Sequence, residues 1–172
     1  MRPVVILVGA TGSGRTLVGR ALAAQLNTTV VETEDVIEAQ TGQTLAELAL
    51  ADEPERFREQ IGSAATAALG SSGVVTLLPS AVGDPKVAEL MAEAGAAGSV
   101  LVALTADLTT LARRTGLNAP RSAALGQPRR WFGDHVRALV EQYSTLGAVE
   151  ISTVDRDPAE VATEICQRFA LQ

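Results

Sequence analysis

The stretch that most constrains this chain is VGATGSGRTLVG, Val8 to Gly19, which follows the apolar run Val4–Leu7 and leads into a helical pattern. Its glycines have the spacing G-x-x-x-x-G, followed by Arg15 and Thr16. A turn of this kind between a strand and a helix curls the backbone so that successive N–H groups converge on an anion. Gly9, Gly12 and Gly14 permit the curl and Ser13 lies within it. The helix opening near Arg15 adds the positive end of its dipole. Thr16 brings a hydroxyl of the type that ligates Mg²⁺ beside a bound nucleotide. The usual residue at position 15 of such a loop is lysine, a compact charge reaching the outer phosphates. Arginine is longer and planar and donates through a fork. That change is compatible with holding a nucleotide and works against positioning a group for transfer. Only Lys86 among the 14 basic residues is a lysine, so a bias toward arginine explains Arg15 equally well.

At 172 residues the chain fits one domain, residues 1–172. Aromatic residues are 3% of a composition that is 47% hydrophobic, so the core is expected to be aliphatic. A net charge of −6 argues against wholesale nucleic-acid binding. Cys166 is the sole cysteine, so no internal disulfide can form, which suits a reducing compartment. The first apolar run is too short for a signal peptide, and no membrane-length segment follows. A soluble, cytoplasmic protein is the expectation, with no membrane partner. No Cys/His cluster suggests zinc.

Short β-branched runs alternate with helical patterns. The runs are Val4–Val8, Thr29–Glu32, Val74–Leu78, Ser99–Leu104 and Ala148–Ile151. They show little alternation, as expected of strands buried on both faces. Asp84-Pro85 and Asp157-Pro158 mark helix starts, and Thr44–Glu47 reads as a capping box. Asp52 or Glu53 before Pro54 opens another helix running to Gly70–Gly73. The pattern predicts an α/β three-layer sandwich with a parallel sheet of about five strands. Residues 116–130, rich in Gly, Pro and Arg, read as a mobile surface loop or lid. Trp131-Phe132 are expected to anchor the helix after it, and Cys166 reads as core.

GATGSGRTLVGRALAAQL, then VVETEDVIEAQTGQTLAEL, ERFRE and RRTGLNAPR, together resemble the shikimate kinase family. The resemblance covers nearly the whole chain and is best over the first sixty or so residues. It implies a P-loop NTPase fold with a lid and phosphorylation of the 3-hydroxyl of shikimate by MgATP. The ligands it implies are ATP/ADP, Mg²⁺ and shikimate or a similar hydroxylated acid. Carried over by position, Glu34 stands where the family has the aspartate that contacts the acceptor hydroxyls and is its proposed base. Arg58 matches an arginine that clamps the acceptor carboxylate. Arg113 and Arg114 stand where the family has an arginine near the adenine. Arg121 matches the lid arginine that touches phosphates and acceptor.

The pattern also breaks. A Gly-Gly-Gly run becomes Leu78-Pro79-Ser80, which is expected to fill part of the acceptor pocket and leaves Ser80 as its polar wall. A second carboxylate-clamping arginine should fall near Tyr143, and none is there. The leading reading is therefore a family member with weak or lost catalysis: Arg15, Glu34 and Arg121 as the catalytic set, Arg58 and Ser80 beside the acceptor. A working kinase is the second reading. A regulatory domain acting on an unidentified protein partner is the third.

Overall fold

The computed structural model describes residues 2–51, 53–116 and 128–172. The strands are β1 (Pro3–Gly9), β2 (Val30–Glu32), β3 (Gly73–Thr76), β4 (Val100–Thr105) and β5 (Val149–Ser152). The helices are α1 (Arg15–Gln25), α2 (Thr33–Thr41), α3 (Leu45–Leu50), α4 (Pro54–Leu69), α5 (Pro85–Ala96), α6 (Leu108–Arg114), α7 (Pro128–Thr145) and α8 (Pro158–Arg168), with a 3-10 helix at Pro79–Gly83. The strands form one parallel sheet in the order β2-β3-β1-β4-β5.

Helices cover both faces of the sheet, which explains the missing alternation. On β1, Val5 and Leu7 pack into a core shared with Val18 and Leu22 of α1 and Val161 and Ile165 of α8. Ile6 and Val8 point the other way, into the core built with Ile37, Ile61, Met91 and Tyr143. The chain leaves β1 toward β2 and β3 on one side, and reaches β4 and β5 on the other. Such a switch point opens a crevice at the carboxyl ends of the strands. The glycine loop lies at the end of β1, in that crevice.

The helix starts match their sequence signals. Asp84 accepts from the Lys86 N–H at 2.8 Å, and Asp157 from the Ala159 N–H at 2.8 Å. Thr44 and Glu47 form the reciprocal capping box at the start of α3. At α4, Glu53 is the cap residue but makes no side-chain cap bond, and Asp52 lies outside the described residues.

Three expectations need correction. β3 ends at Thr76, two residues before Leu78, because the chain turns into the 3-10 helix at Pro79, whose ring brings no N–H for a ladder. Phe132 packs against the core, but Trp131 is 77% exposed and lies outside the core clusters of the described residues. Residues 128–130, at the end of the expected lid, are already in α7; residues 117–127, Arg121 among them, lie outside the described residues. Cys166 is half-buried against the α1/α8 core, and burial pushes its thiol up. Among the described residues no helix is long and apolar enough to cross a membrane.

Candidate nucleotide and acceptor site

The loop after β1 has the shape its glycines predict. Gly14, at φ 93°, is the left-handed residue from which α1 starts. Gly9 permits a close approach: a Cβ there would lie 2.4 Å from Ser13 Oγ and 2.6 Å from the Leu104 carbonyl. The Ser13 N–H turns back onto the Ala10 carbonyl at 3.0 Å. Val18 donates to the Gly14 carbonyl at 3.0 Å. The amides of Arg15, Thr16 and Leu17, ahead of it, are the orphan donors that every helix start presents. Thr16 is half-buried on that first turn.

Arg114 of α6 braces the loop from outside. Its Nη1 donates to the Gly12 carbonyl at 3.1 Å and to Thr153 Oγ1 at 2.9 Å, and its Nη2 to the Thr153 carbonyl at 2.9 Å. Buried Thr153 in turn donates to the Ser13 carbonyl at 3.0 Å. A cleft of about 390 Å³ lies alongside, walled by Gly12, Gly14, Leu17, Arg114, Arg156 and Pro158 among others. Arg113, one residue earlier, is exposed. Arg137 pairs with Asp134 on its own helix, and Arg130 is exposed.

Arg15 turns toward β3. Its Nη1 donates to the Leu77 carbonyl, and its Nη2 lies 3.7 Å from Glu34 Oε1. Its side chain is 11% exposed. Burial lowers its pKa below the ordinary arginine value, opposed first by Glu34 and then by Tyr143 and Glu32. Glu34 is set in place by its neighbour Thr33, whose buried hydroxyl donates to the Thr76 carbonyl at 2.7 Å and ties the start of α2 to the end of β3. The second oxygen, Glu34 Oε2, is buried without a hydrogen-bond partner. Asp35, next in sequence, is exposed and takes no part.

Tyr143, from α7, is buried against this pair. Burial raises its phenol to about 12, while Arg15 and the Gly9 N–H pull the other way, neither within hydrogen-bond geometry. Ser13 Oγ and Thr76 Oγ1 are likewise buried and unpartnered.

Around Arg58 and Ser80 the chain packs in a way the sequence did not suggest. Leu78 packs in the core and Pro79 is buried, so neither projects into the cavity of about 370 Å³ that Ser80 lines together with Arg58, Phe57 and Gly83. The 3-10 turn at Pro79 directs Leu78 inward, so neither Leu78 nor Pro79 lines this cavity. Arg58 is exposed, and its Nε donates to the Pro54 carbonyl at 3.2 Å.

The structure thus joins Arg15 to Glu34, Arg114 to Gly12, and Arg58 to Ser80. Sequence reasoning missed Thr153, the Leu77 carbonyl and the Arg20–Glu32 pair. Arg20 Nε and Nη2 both reach Glu32 Oε1 at 2.7 Å. A carboxylate closing an apolar strand was the one signal for that pair. A backbone carbonyl and a loop threonine carry none.

A parallel sheet in this order, with a glycine loop between β1 and α1, defines a P-loop fold. The shikimate kinase family model matches residues 11–170. The chain is 32% identical to the shikimate kinase of Thermobifida fusca over 169 residues, covering 98% of this chain and 95% of that one. It is 32% identical over 174 residues to the shikimate kinase of Mycobacterium tuberculosis, covering 98% and 94%. The shikimate kinase of Acinetobacter baumannii, solved in complex with shikimate, has the same fold, with a TM-score of 0.82 at 20% identity over 99% of this chain and 93% of that one. This chain belongs to the shikimate kinase family.

Proposed function

We propose that this protein binds a nucleotide in its glycine loop, as a kinase of small hydroxylated acids does, and transfers phosphate to shikimate weakly or not at all. The observation that carries this reading is the engagement of Arg15 with Glu34 and the Leu77 carbonyl. Before nucleotide binds, the two side chains expected to serve the phosphate and the acceptor hydroxyl are occupied with each other, and neither is the residue type the resemblance implies.

The loop fits a nucleotide. A Cβ at Gly9 would strike Ser13 and Leu104, so only glycine permits the tight turn that aims the loop amides, and buried Ser13 Oγ lacks a partner. Gly12, Gly14, Arg114 and Arg156 wall the adjoining cleft. Thr16 would hold Mg²⁺ together with phosphate oxygens, an arrangement common for this ion. When bound, Mg²⁺ supplies charge neutralisation across the outer phosphates. The protein's own part is to orient the phosphates with loop amides and the α1 dipole. Arg121 is kept as a lid contact in this proposal.

On the acceptor side, Glu34 would take the hydroxyl proton and Arg58, with Ser80, would hold the acid. Glu34 is one methylene longer than the aspartate implied by the resemblance, and a misplacement of about 1 Å costs about 100-fold in rate. The competing reading, a working shikimate kinase, is favoured by the intact cavity between Arg58 and Ser80.

Calorimetric titration with MgADP and, separately, with shikimate tests the proposal. MgADP is expected to bind in the micromolar range, and shikimate with a Kd of about 1 mM or weaker, a free energy of about −4 kcal/mol or less in magnitude. Tight shikimate binding with no MgADP binding would contradict it.

A further inference from the structure

The geometry points to Arg15 as a latch shared between two sites: Glu34 and the terminal phosphate of a nucleotide compete for its single guanidinium. The inference rests on the reading that the loop binds nucleotide.

Arg15 is the first residue of α1, directly after the loop, so its backbone belongs to the anion cradle. Its side chain belongs to the other half of the site. One end of the guanidinium donates to the Leu77 carbonyl just beyond β3, and the other pairs with Glu34 on α2. Thr33 fixes the position of Glu34 through the Thr76 carbonyl. Arg15 and Glu34 are therefore held by different elements, and the flexible member is the arginine stem. A lysine would reach out as one point charge, whereas the planar fork serves two acceptors at once, a carbonyl and a carboxylate. The buried, unpartnered Glu34 Oε2 leaves the pair short of a full bidentate contact. A pair of that quality yields to a better acceptor, and a phosphate on the loop is one.

Two consequences follow. Nucleotide binding must first draw Arg15 away from Glu34, so the carboxylate weakens the nucleotide. By reciprocity, bound nucleotide releases Glu34, which faces the acceptor unpaired only when the phosphate donor is in place.

The test is a cycle of MgADP affinities measured by calorimetry on the full chain. It compares wild type, Glu34→Gln, Arg15→Met and the double variant, each first checked for an intact melting transition. Coupling between sites is typically five- to 150-fold. Glu34→Gln is expected to tighten MgADP binding by about tenfold when Arg15 is present, and by less than about threefold in the Arg15→Met background. Simple repulsion between Glu34 and phosphate gives the opposite ordering, because Arg15 no longer screens it. Equal or greater tightening in the Arg15→Met background therefore overturns the latch, as does no tightening in either. Those outcomes leave nucleotide binding itself intact. If none of the four proteins binds MgADP, the latch falls together with the nucleotide reading. Should Glu34→Gln not fold, Glu34→Met gives the same comparison.

Discussion

Replacing Gly9 with alanine is expected to abolish useful nucleotide binding and to destabilise the fold by about 2–3 kcal/mol. The reason is steric. The new Cβ would sit 2.4 Å from Ser13 Oγ and 2.6 Å from the Leu104 carbonyl. Ser13 is wholly buried, so its side chain has little room to withdraw. Leu104 is opposite Gly9 in the β1–β4 register, so that carbonyl moves only if the centre of the sheet moves. Relief must come from the loop, which lifts and misdirects its amides. Charge-assisted hydrogen bonds are worth about 1.5–3 kcal/mol each. Losing one or two is about 100-fold in Kd. Calorimetry with MgADP and a urea melt check both effects. A Gly9→Ala variant that binds and unfolds like wild type would show that the loop is not packed as described.

The second large effect is expected at Arg20. Glu32 is 5% exposed at the end of β2, and Arg20 of α1 is its ion-pair partner. Arg20→Met leaves a buried carboxylate unpaired. Breaking a fully buried pair costs about 3–5 kcal/mol. Arg20 is 60% exposed, and solvent reaches its side of the contact, so about 2 kcal/mol is expected here. Adding Glu32→Gln to Arg20→Met should recover more than half of the loss in urea unfolding. A single variant within about 0.5 kcal/mol of wild type would mean that Glu32 is solvated without its partner.

How much the sequence revealed follows from how local each signal is. The strand runs, the Asp84 and Asp157 caps and the Thr44–Glu47 box are contiguous, and the structure places them as read apart from the early end of β3 at Thr76. The glycine loop was legible because its spacing encodes a backbone shape. Side-chain direction was not. Nothing in GRT says that Arg15 will cross to Leu77, brought near by the β1–β3 pairing, and to Glu34, brought near by the β2–β3 pairing. Leu78-Pro79 looked like an obstruction because a glycine run was the expected pattern. A proline that opens a 3-10 turn sends the leucine into the core instead. Tyr143 stood out as the place where an arginine was missing, while its contribution to the core beneath Arg15 depends on how α7 packs.

The central claim is that Arg15 and Glu34, which stand where the family resemblance implies a lysine and an aspartate, leave shikimate a poor acceptor even after nucleotide has parted them. Steady-state ADP release with saturating MgATP and shikimate measures it most directly. Kinases of this mechanism turn over at about 1–100 s⁻¹, and removal of one well-placed electrostatic group costs about 100- to 1,000-fold. With both groups compromised, turnover below about 0.01 s⁻¹ is predicted. Turnover above about 1 s⁻¹, within the ordinary kinase range, would mean that Arg15 and Glu34 serve the reaction as well as the lysine and aspartate they replace.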